Sequence, residues 1–299
     1  MESRFSTLAI VGVGMIGGSV ALAAKKRGVC RTVLGIDRSR EALAKAKALG
    51  IIDEGLPKID AALTEAEGVV IATPVGAFEE LFRALKPYWR RGTLYTDVGS
   101  TKRSVVEAAA RVFGRVPANF IPAHPIAGRE RPGVEASDPD IFLNKRVIVT
   151  PLLESDTHVL ERVRNFWRAL GAEVHDMSPA HHDHILAATS HLPHLLAYAL
   201  THWLGRKDDK DEIFQYAAGG FKDFSRIASS SPIMWRDITI ANRDELLPLL
   251  DQFLEELRRL RNRVAEGQPA ALARYFAEAR AARERFLSIY EGGSGDGKG

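Results

Sequence analysis

His124 is the strongest candidate for acid–base chemistry in this 299-residue chain. It stands in His124-Pro125-Ile126-Ala127-Gly128, directly after an apolar run that reads as a strand, Phe120–Ala123. A neutral imidazole at the carboxyl end of a strand can accept the proton of a hydroxyl whose carbon gives up hydride. A histidine that merely caps a turn would look the same in isolation. A second group lies in Thr189-Ser190-His191-Leu192-Pro193-His194-Leu195-Leu196-Ala197-Tyr198. Spacing of i, i+4 and i+8 puts Ser190, His194 and Tyr198 on one helix face with His191 beside it. Pro193 removes a backbone bond and is expected to kink this helix, freeing a carbonyl near position 189. Polar groups beside a kink suit a ligand wall. The third group is Gly219-Gly220-Phe221-Lys222-Asp223-Phe224-Ser225-Arg226, where the paired glycines are expected to end a helix and Arg226 to follow in a loop or short helix. Its guanidinium suits bidentate recognition of a carboxylate; an i, i+3 pair with Asp223 is the plainer alternative.

A hydride needs an acceptor, and the amino-terminal segment offers a place for one. Gly12-Val13-Gly14-Met15-Ile16-Gly17 follows the apolar run Leu8–Val11 and opens a helical pattern. GxGxxG between a strand and a helix is the context of a dinucleotide-binding fingerprint. Gly12 allows the tight turn, Gly14 lets a pyrophosphate approach the backbone, and Gly17 lets helix and strand pack closely. The phosphates would lie on free N–H groups in the first helical turn, which contains Met15 and Ile16. Asp37 ends the run Thr32–Ile36, about 20 residues after Gly17, where an acidic residue bonds the ribose hydroxyls. A carboxylate there repels a 2′-phosphate and favours NAD, while Arg38 could soften that preference.

The elements needed to position these groups are legible as an alternation. Strands are expected at Thr7–Val11, Thr32–Ile36, Gly68–Ala72, Thr93–Asp97, Phe120–Ala123, Arg146–Thr150 and Glu173–His175. Helices are expected near Ser19–Arg27, Arg40–Leu49, Phe78–Leu85, Lys102–Phe113 and Asp156–Leu170. Such alternation gives a mostly parallel sheet covered on both faces, with ligands beyond the carboxyl ends of its strands. Thr73, Pro74, Ser100 and His124 all fall at such ends. After Met177 the pattern becomes helical: Ser178-Pro179 reads as a helix start, and helices follow over Pro179–Leu204, Asp211–Gln215, Pro232–Ala241, Arg243–Glu266 and Pro269–Tyr290. The expected fold class is therefore α/β: a dinucleotide-binding domain over 1–177, an all-α domain over 178–291, and a glycine-rich disordered tail over 292–299.

Composition excludes several function classes. Net charge is only +3, from 41 basic and 38 acidic side chains, and the basic residues are dispersed. That pattern reads as solvated helix faces and not as a nucleic-acid footprint. No apolar run approaches the length of about 18 residues needed for a membrane span, and no signal peptide is apparent. A single cysteine, Cys30, fits a cytoplasmic location. His181, His182, His184, His191 and His194 lack partner cysteines or carboxylates at zinc-type spacing, so no metal is expected. The first three are expected to be exposed near the helix start. Apolar stripes on the last two helices, including Leu246, Leu249, Leu250, Phe253, Leu254 and Leu257, predict a homodimer.

The glycine fingerprint, Asp97-Val98-Gly99-Ser100-Thr101-Lys102, His124–Gly128 with Gly133-Val134-Glu135, Ser190–His194 and Gly219–Asp237 occur in one order. In that order they resemble the prephenate/arogenate (cyclohexadienyl) dehydrogenase family of tyrosine biosynthesis, over most of the chain from Thr7 to Asn242. The resemblance implies a Rossmann-type domain followed by a helical dimerisation and substrate domain, with NAD as cofactor. It makes His124 the catalytic histidine, with Ser100 positioning the substrate hydroxyl and the nicotinamide. Ser190, His191 and His194 would line the pocket and Arg226 would hold a substrate carboxylate. Trp235 matches a family tryptophan, and a core role suits it equally. Arg129-Glu130-Arg131 departs from the small residue expected after Gly128. Glu130 would suit the ammonium of arogenate and Arg129 the keto-acid carboxylate of prephenate; the expected substrate is prephenate, with arogenate as the alternative. A β-hydroxyacid dehydrogenase, for which Lys222 would be the nearest lysine, and a non-catalytic NAD-binding sensor are the rival readings.

Overall fold

The computed structural model describes residues 4–128 and 131–292. Its first half alternates β1 (Phe5–Val11), α1 (Met15–Lys26), β2 (Cys30–Ile36), α2 (Arg40–Ala48), β3 (Glu54–Leu56), β4 (Gly68–Ile71), α3 (Phe78–Leu85), β5 (Leu94–Asp97), α4 (Arg103–Phe113) and β6 (Phe120–Ile121). These strands form a six-stranded sheet in the order β3-β2-β1-β4-β5-β6, every pair parallel. The order reverses between β1 and β4, the switch point at which Rossmann-type sheets bind dinucleotides. Strand β3 was not anticipated: three residues, Glu-Gly-Leu, carry no apolar run to announce it.

Alternate side chains of the central strands enter two separate cores, because successive Cβ atoms point to opposite faces of a strand. Leu8, Ile10 and Val70 pack with Val20 of α1 and with Phe166 and Trp167, which belong to α5 (Thr157–Ala169). Ala9, Val11 and Val69 pack with Phe78 and Phe82 of α3 and with Val105 of α4. Burial on both faces explains why these strands read as continuous apolar runs.

The strand expected over Phe120–Ala123 divides at Pro122, which has no N–H to give to a ladder. Beyond it, β7 (Ala123–Pro125) leaves the large sheet and pairs antiparallel with β8 (Arg146–Val149), which pairs parallel with β9 (Glu173–Asp176). His124 therefore lies inside β7 opposite Ile148, and not after the end of a strand.

From Pro179 onward the described residues are helical. The Ser178 hydroxyl accepts the His181 N–H and caps α6 (Pro179–Leu186), as the Ser-Pro pair predicts. A π-turn, Ala187–His191, then leads into α7 (Leu192–Leu204). The kink expected from Pro193 is thus taken up by a change of helical register just before it, and the proline sits in the first turn of α7, where no N–H is needed. The elements α8 (Lys210–Gln215), α9 (Gly219–Ser225), a 3-10 turn (Arg226–Ser229), α10 (Pro232–Ala241), α11 (Arg243–Ala265) and α12 (Pro269–Gly292) follow. Gly219 and Gly220 open α9 instead of ending a helix: α8 has already stopped, and Ala218, extended at φ −115° and ψ −167°, supplies the break before them.

The chain forms two compact units, one as far as Leu246 and one from Leu247 onward. In the second, the Arg263 guanidinium lies 5.1 Å from the centre of the Tyr275 ring. Leu254, Leu257, Phe276, Phe286 and Ile289 are exposed on its helices. Among the described residues no helix is long and apolar enough to cross a membrane. The tail from position 293 lies outside the described residues.

Candidate active site

The glycine loop is built as the fingerprint requires. Gly12 has φ +98°, and a Cβ there would stand 2.4 Å from the Ala72 carbonyl oxygen. A Cβ on Gly17 would lie 2.0 Å from the Gly12 oxygen, so helix and strand could not close on any larger residue. At Gly14 a Cβ would meet nothing within 4 Å, which leaves this backbone open to an incoming ligand. Helix α1 has no side-chain cap, so its first-turn N–H groups are available to an anion. The Asp37 carboxylate accepts the Val13 N–H at 2.9 Å and the Ser39 N–H at 2.8 Å, which pins it across the glycine turn. Beside it runs a groove of about 520 Å³ whose lining includes Gly14, Asp37, Arg38, Lys58, Thr73 and Pro74. The Thr73 hydroxyl is buried and has no hydrogen-bond partner among the described residues. Turn, open helix end, ribose acceptor and orphaned hydroxyl together fit a dinucleotide.

His124 sits at one end of a hydrogen-bonded chain. Its Nδ1 is 2.8 Å from His182 Nε2, and His182 Nδ1 is 2.8 Å from Asp183 Oδ1. Asp183 also accepts the main-chain N–H groups of Lys102 (2.7 Å) and Arg103 (2.9 Å), so its carboxylate closes the amino terminus of α4. The expectation that His182 is exposed was wrong: its side chain and that of Asp183 are fully buried, whereas His181 and His184 are exposed. Bonding of Asp183 to the start of α4 draws this face of α6 inward. Positions 182 and 183 precede Leu186 and Ala187 by four, on the same helical face, and that was the available signal.

Hydrogen-bond accounting along this chain gives the tautomers. Burial alone would raise the Asp183 carboxyl, but hydrogen bonds from His182, Lys102 and Arg103 outweigh it and hold it low, so it is ionised and only accepts. His182 must then donate from Nδ1, which leaves Nε2 to accept from His124 Nδ1–H. His124 Nε2 is left with a lone pair. Burial, reinforced by repulsion from His182, Lys102 and His191, holds the His124 imidazole well below its usual range, so at neutrality it is uncharged.

A buried ion pair holds the residue before His124. Lys102 Nζ donates to Asp97 and to the Ala123 carbonyl (2.6 Å), while Asp97 accepts the Ala123 N–H at 3.0 Å. Both side chains are fully buried; burial pushes Asp97 up and Lys102 down, against their mutual attraction. No role was anticipated for Lys102, because lysine after a strand ordinarily reads as a solvated side chain.

The remaining candidates divide. His191 is buried, with Nδ1 3.1 Å from the Asn242 amide nitrogen. His194 bonds the Ser190 carbonyl (2.9 Å) and stacks on Trp235 at 3.7 Å. Trp235 is buried, and its indole N–H has no hydrogen-bond partner among the described residues. Tyr198 departs from the expected ligand wall: its hydroxyl donates to the Ser230 carbonyl at 2.6 Å and braces the turn that Arg226 opens. Arg226 is exposed there. Ser100 follows β5, partly buried, with its main chain beside His191. Arg129 and Glu130 lie outside the described residues. Among the described residues no group of three or more His, Cys, Asp or Glu is placed to hold a metal ion.

Comparison with known proteins gives a consistent result. A family model described as prephenate dehydrogenase, nucleotide-binding domain, matches residues 20–176, and one described as prephenate dehydrogenase, dimerization domain, matches residues 178–278. The prephenate dehydrogenase of Bacillus subtilis is 37% identical over 291 residues, covering 95% of this chain and 77% of that protein. The cyclohexadienyl dehydrogenase of Zymomonas mobilis is 35% identical over 282 residues, covering 93% and 95%. The crystal structure of prephenate dehydrogenase from A. aeolicus in complex with hydroxyphenyl propionate and NAD+ superposes with a TM-score of 0.86 at 35% identity, covering 94% of this chain and 98% of that one.

Proposed function

The chain belongs to the prephenate dehydrogenase family, and from that premise we propose that it converts prephenate to 4-hydroxyphenylpyruvate, with NAD as hydride acceptor, in tyrosine biosynthesis. The observation that carries the reading is the orientation that Asp183 and His182 impose on His124. Gly12, Gly14, Met15, Ile16 and Gly17 hold the pyrophosphate, Asp37 the ribose with Arg38 beside it, and Thr73, Pro74 and Ser100 the nicotinamide side. Ser190, His191 and His194 line the substrate pocket, and Arg226 pairs with a substrate carboxylate.

When bound, NAD takes the hydride from the hydroxyl-bearing ring carbon. His124 Nε2, with its lone pair free, takes the hydroxyl proton as that carbon becomes a carbonyl. His182 accepts from the imidazolium so formed, and the Asp183 charge stabilises it from behind. Conjugation carries the electrons of the departing ring carboxylate to the new carbonyl, whose oxygen takes the proton back from His124 to become the phenol; carbon dioxide leaves, and aromatisation makes the step downhill. Positioning and one base are all that the protein needs to supply.

The boundary near Met177 separates the nucleotide-binding part from the helical substrate part. A homodimer is supported by the dimerization-domain match and by the apolar side chains left exposed on the last helices. The test is NADH formation with prephenate and, separately, arogenate, using wild type and His124→Asn. Wild type should turn over prephenate; the variant should bind NAD and lose most turnover. A variant as active as wild type, or a wild type inert toward prephenate, would overturn the proposal.

A further inference from the structure

Asn242 is fully buried at the end of α10, and its amide nitrogen faces two groups from different elements. It lies 2.8 Å from the Asp183 main-chain carbonyl of α6 and 3.1 Å from His191 Nδ1 of the π-turn. A carbonyl oxygen only accepts, so the amide must present its nitrogen here; exchanging the amide oxygen and nitrogen would press two oxygens together. The second amide hydrogen then points at His191 Nδ1, which must carry a lone pair. In a neutral imidazole the proton is therefore on Nε2.

Burial pulls His191 down to about 4, so the ring stays singly protonated at neutral pH. The charged and titratable groups coupled to it include Asp183 and His182 of α6, His194 of α7 and His124 of β7. Nε2 itself is buried and makes no well-formed hydrogen bond among the described residues, while the Ser100 main chain interacts with the ring and favours its protonation. A buried N–H without a well-placed acceptor is costly, and an acceptor that arrives from outside the chain would satisfy it.

We propose that Asn242 is a positioning residue that keeps His191 as an Nε2–H donor to an acceptor oxygen of the ligand bound beside Ser100. The oxygen has two possible sources, the substrate and the carboxamide of the nicotinamide; only this assignment rests on the function proposed above. Long-range proton–nitrogen NMR of histidine-labelled wild type, with His191 assigned by its loss in His191→Gln, decides the tautomer. The expected spectrum has a bare Nδ1 and a protonated Nε2. A proton on Nδ1 would overturn the proposal whether or not the enzyme oxidises prephenate.

Titration of the same protein, first with NAD and then with 4-hydroxyphenylpyruvate, separates the two sources. The Nε2–H resonance should move downfield with one of them; movement with neither defeats the donor role. Asn242→Asp places a carboxylate opposite Nδ1 and should draw the proton there, raising the Kd for NAD or the KM for prephenate about tenfold. A switched tautomer with both constants unchanged would also defeat the donor role. If that variant does not fold, the wild-type spectrum and titrations still decide.

Discussion

Replacing His182 by leucine isolates the contribution of the buried histidine relay. In the resting enzyme His182 Nε2, 2.8 Å away, accepts the Nδ1–H of His124 and thereby exposes the Nε2 lone pair to substrate. As His124 takes up a proton this bond becomes charge-assisted. A hydrogen bond to a charged group contributes about 1.5–3 kcal/mol, against about 0.5–1.5 kcal/mol for a neutral one. The difference, roughly 1.5 kcal/mol, is present in the transition state and absent from the ground state. It corresponds to roughly a tenfold loss in kcat. Without His182 the His124 proton is also free to sit on Nε2, which removes the base from part of the population. The combined expectation is a fall in kcat of about 10- to 100-fold, with the Kd for NAD unchanged. Stopped-time NADH formation gives kcat, and fluorescence quenching gives NAD binding. His182→Gln, whose amide oxygen can still accept from Nδ1–H, should recover part of the loss. A folded His182→Leu protein with kcat within about threefold of wild type would refute the reasoning, since the differential bond strength alone demands more.

Three further outcomes follow from the same structure. His124 must be unprotonated to act, and burial with neighbouring positive charge keeps its proton affinity low. The profile of kcat/KM against pH should therefore be flat at neutrality and fall only as pH drops below the ordinary histidine value of 6.5; an acid limb centred above 7 would contradict this. Gly17→Ala should lower stability by about 1–3 kcal/mol and abolish NAD binding, because the new methyl would stand 2.0 Å from the Gly12 oxygen. Gly14→Ala, with nothing within 4 Å, should leave thermal unfolding unchanged and weaken NAD binding only. Equal destabilisation of the two variants would show that the glycine roles have been assigned wrongly.

Much of this molecule could be read along the chain, because the signals involved are local. Apolar runs Leu8–Val11 and Val69–Ile71 announce strands buried on both faces, and the Ser178-Pro179 pair announces a helix start at the right residue. Gly12 and Gly17 are needed for backbone geometry within a few residues of themselves, so their spacing alone carries the meaning. His124 stood out for the same reason, as a polar residue at the end of an apolar run. What lies beyond Pro122 is less legible, since the transfer of β7 to a second sheet depends on a pairing with β8 more than twenty positions away.

Sequence by itself therefore determined the alternating architecture and the dinucleotide loop, and it singled out His124 as the candidate base. Only the folded chain decided which nitrogen of that base is free. The residues that decide it, His182 and Asp183, resemble any polar side chains near helix ends until α6 is laid against the start of α4. There the loss of water leaves buried donors and acceptors obliged to find partners, and that obligation converts two ordinary side chains, anchored by the main-chain N–H groups of Lys102 and Arg103, into a directed chain of hydrogen bonds.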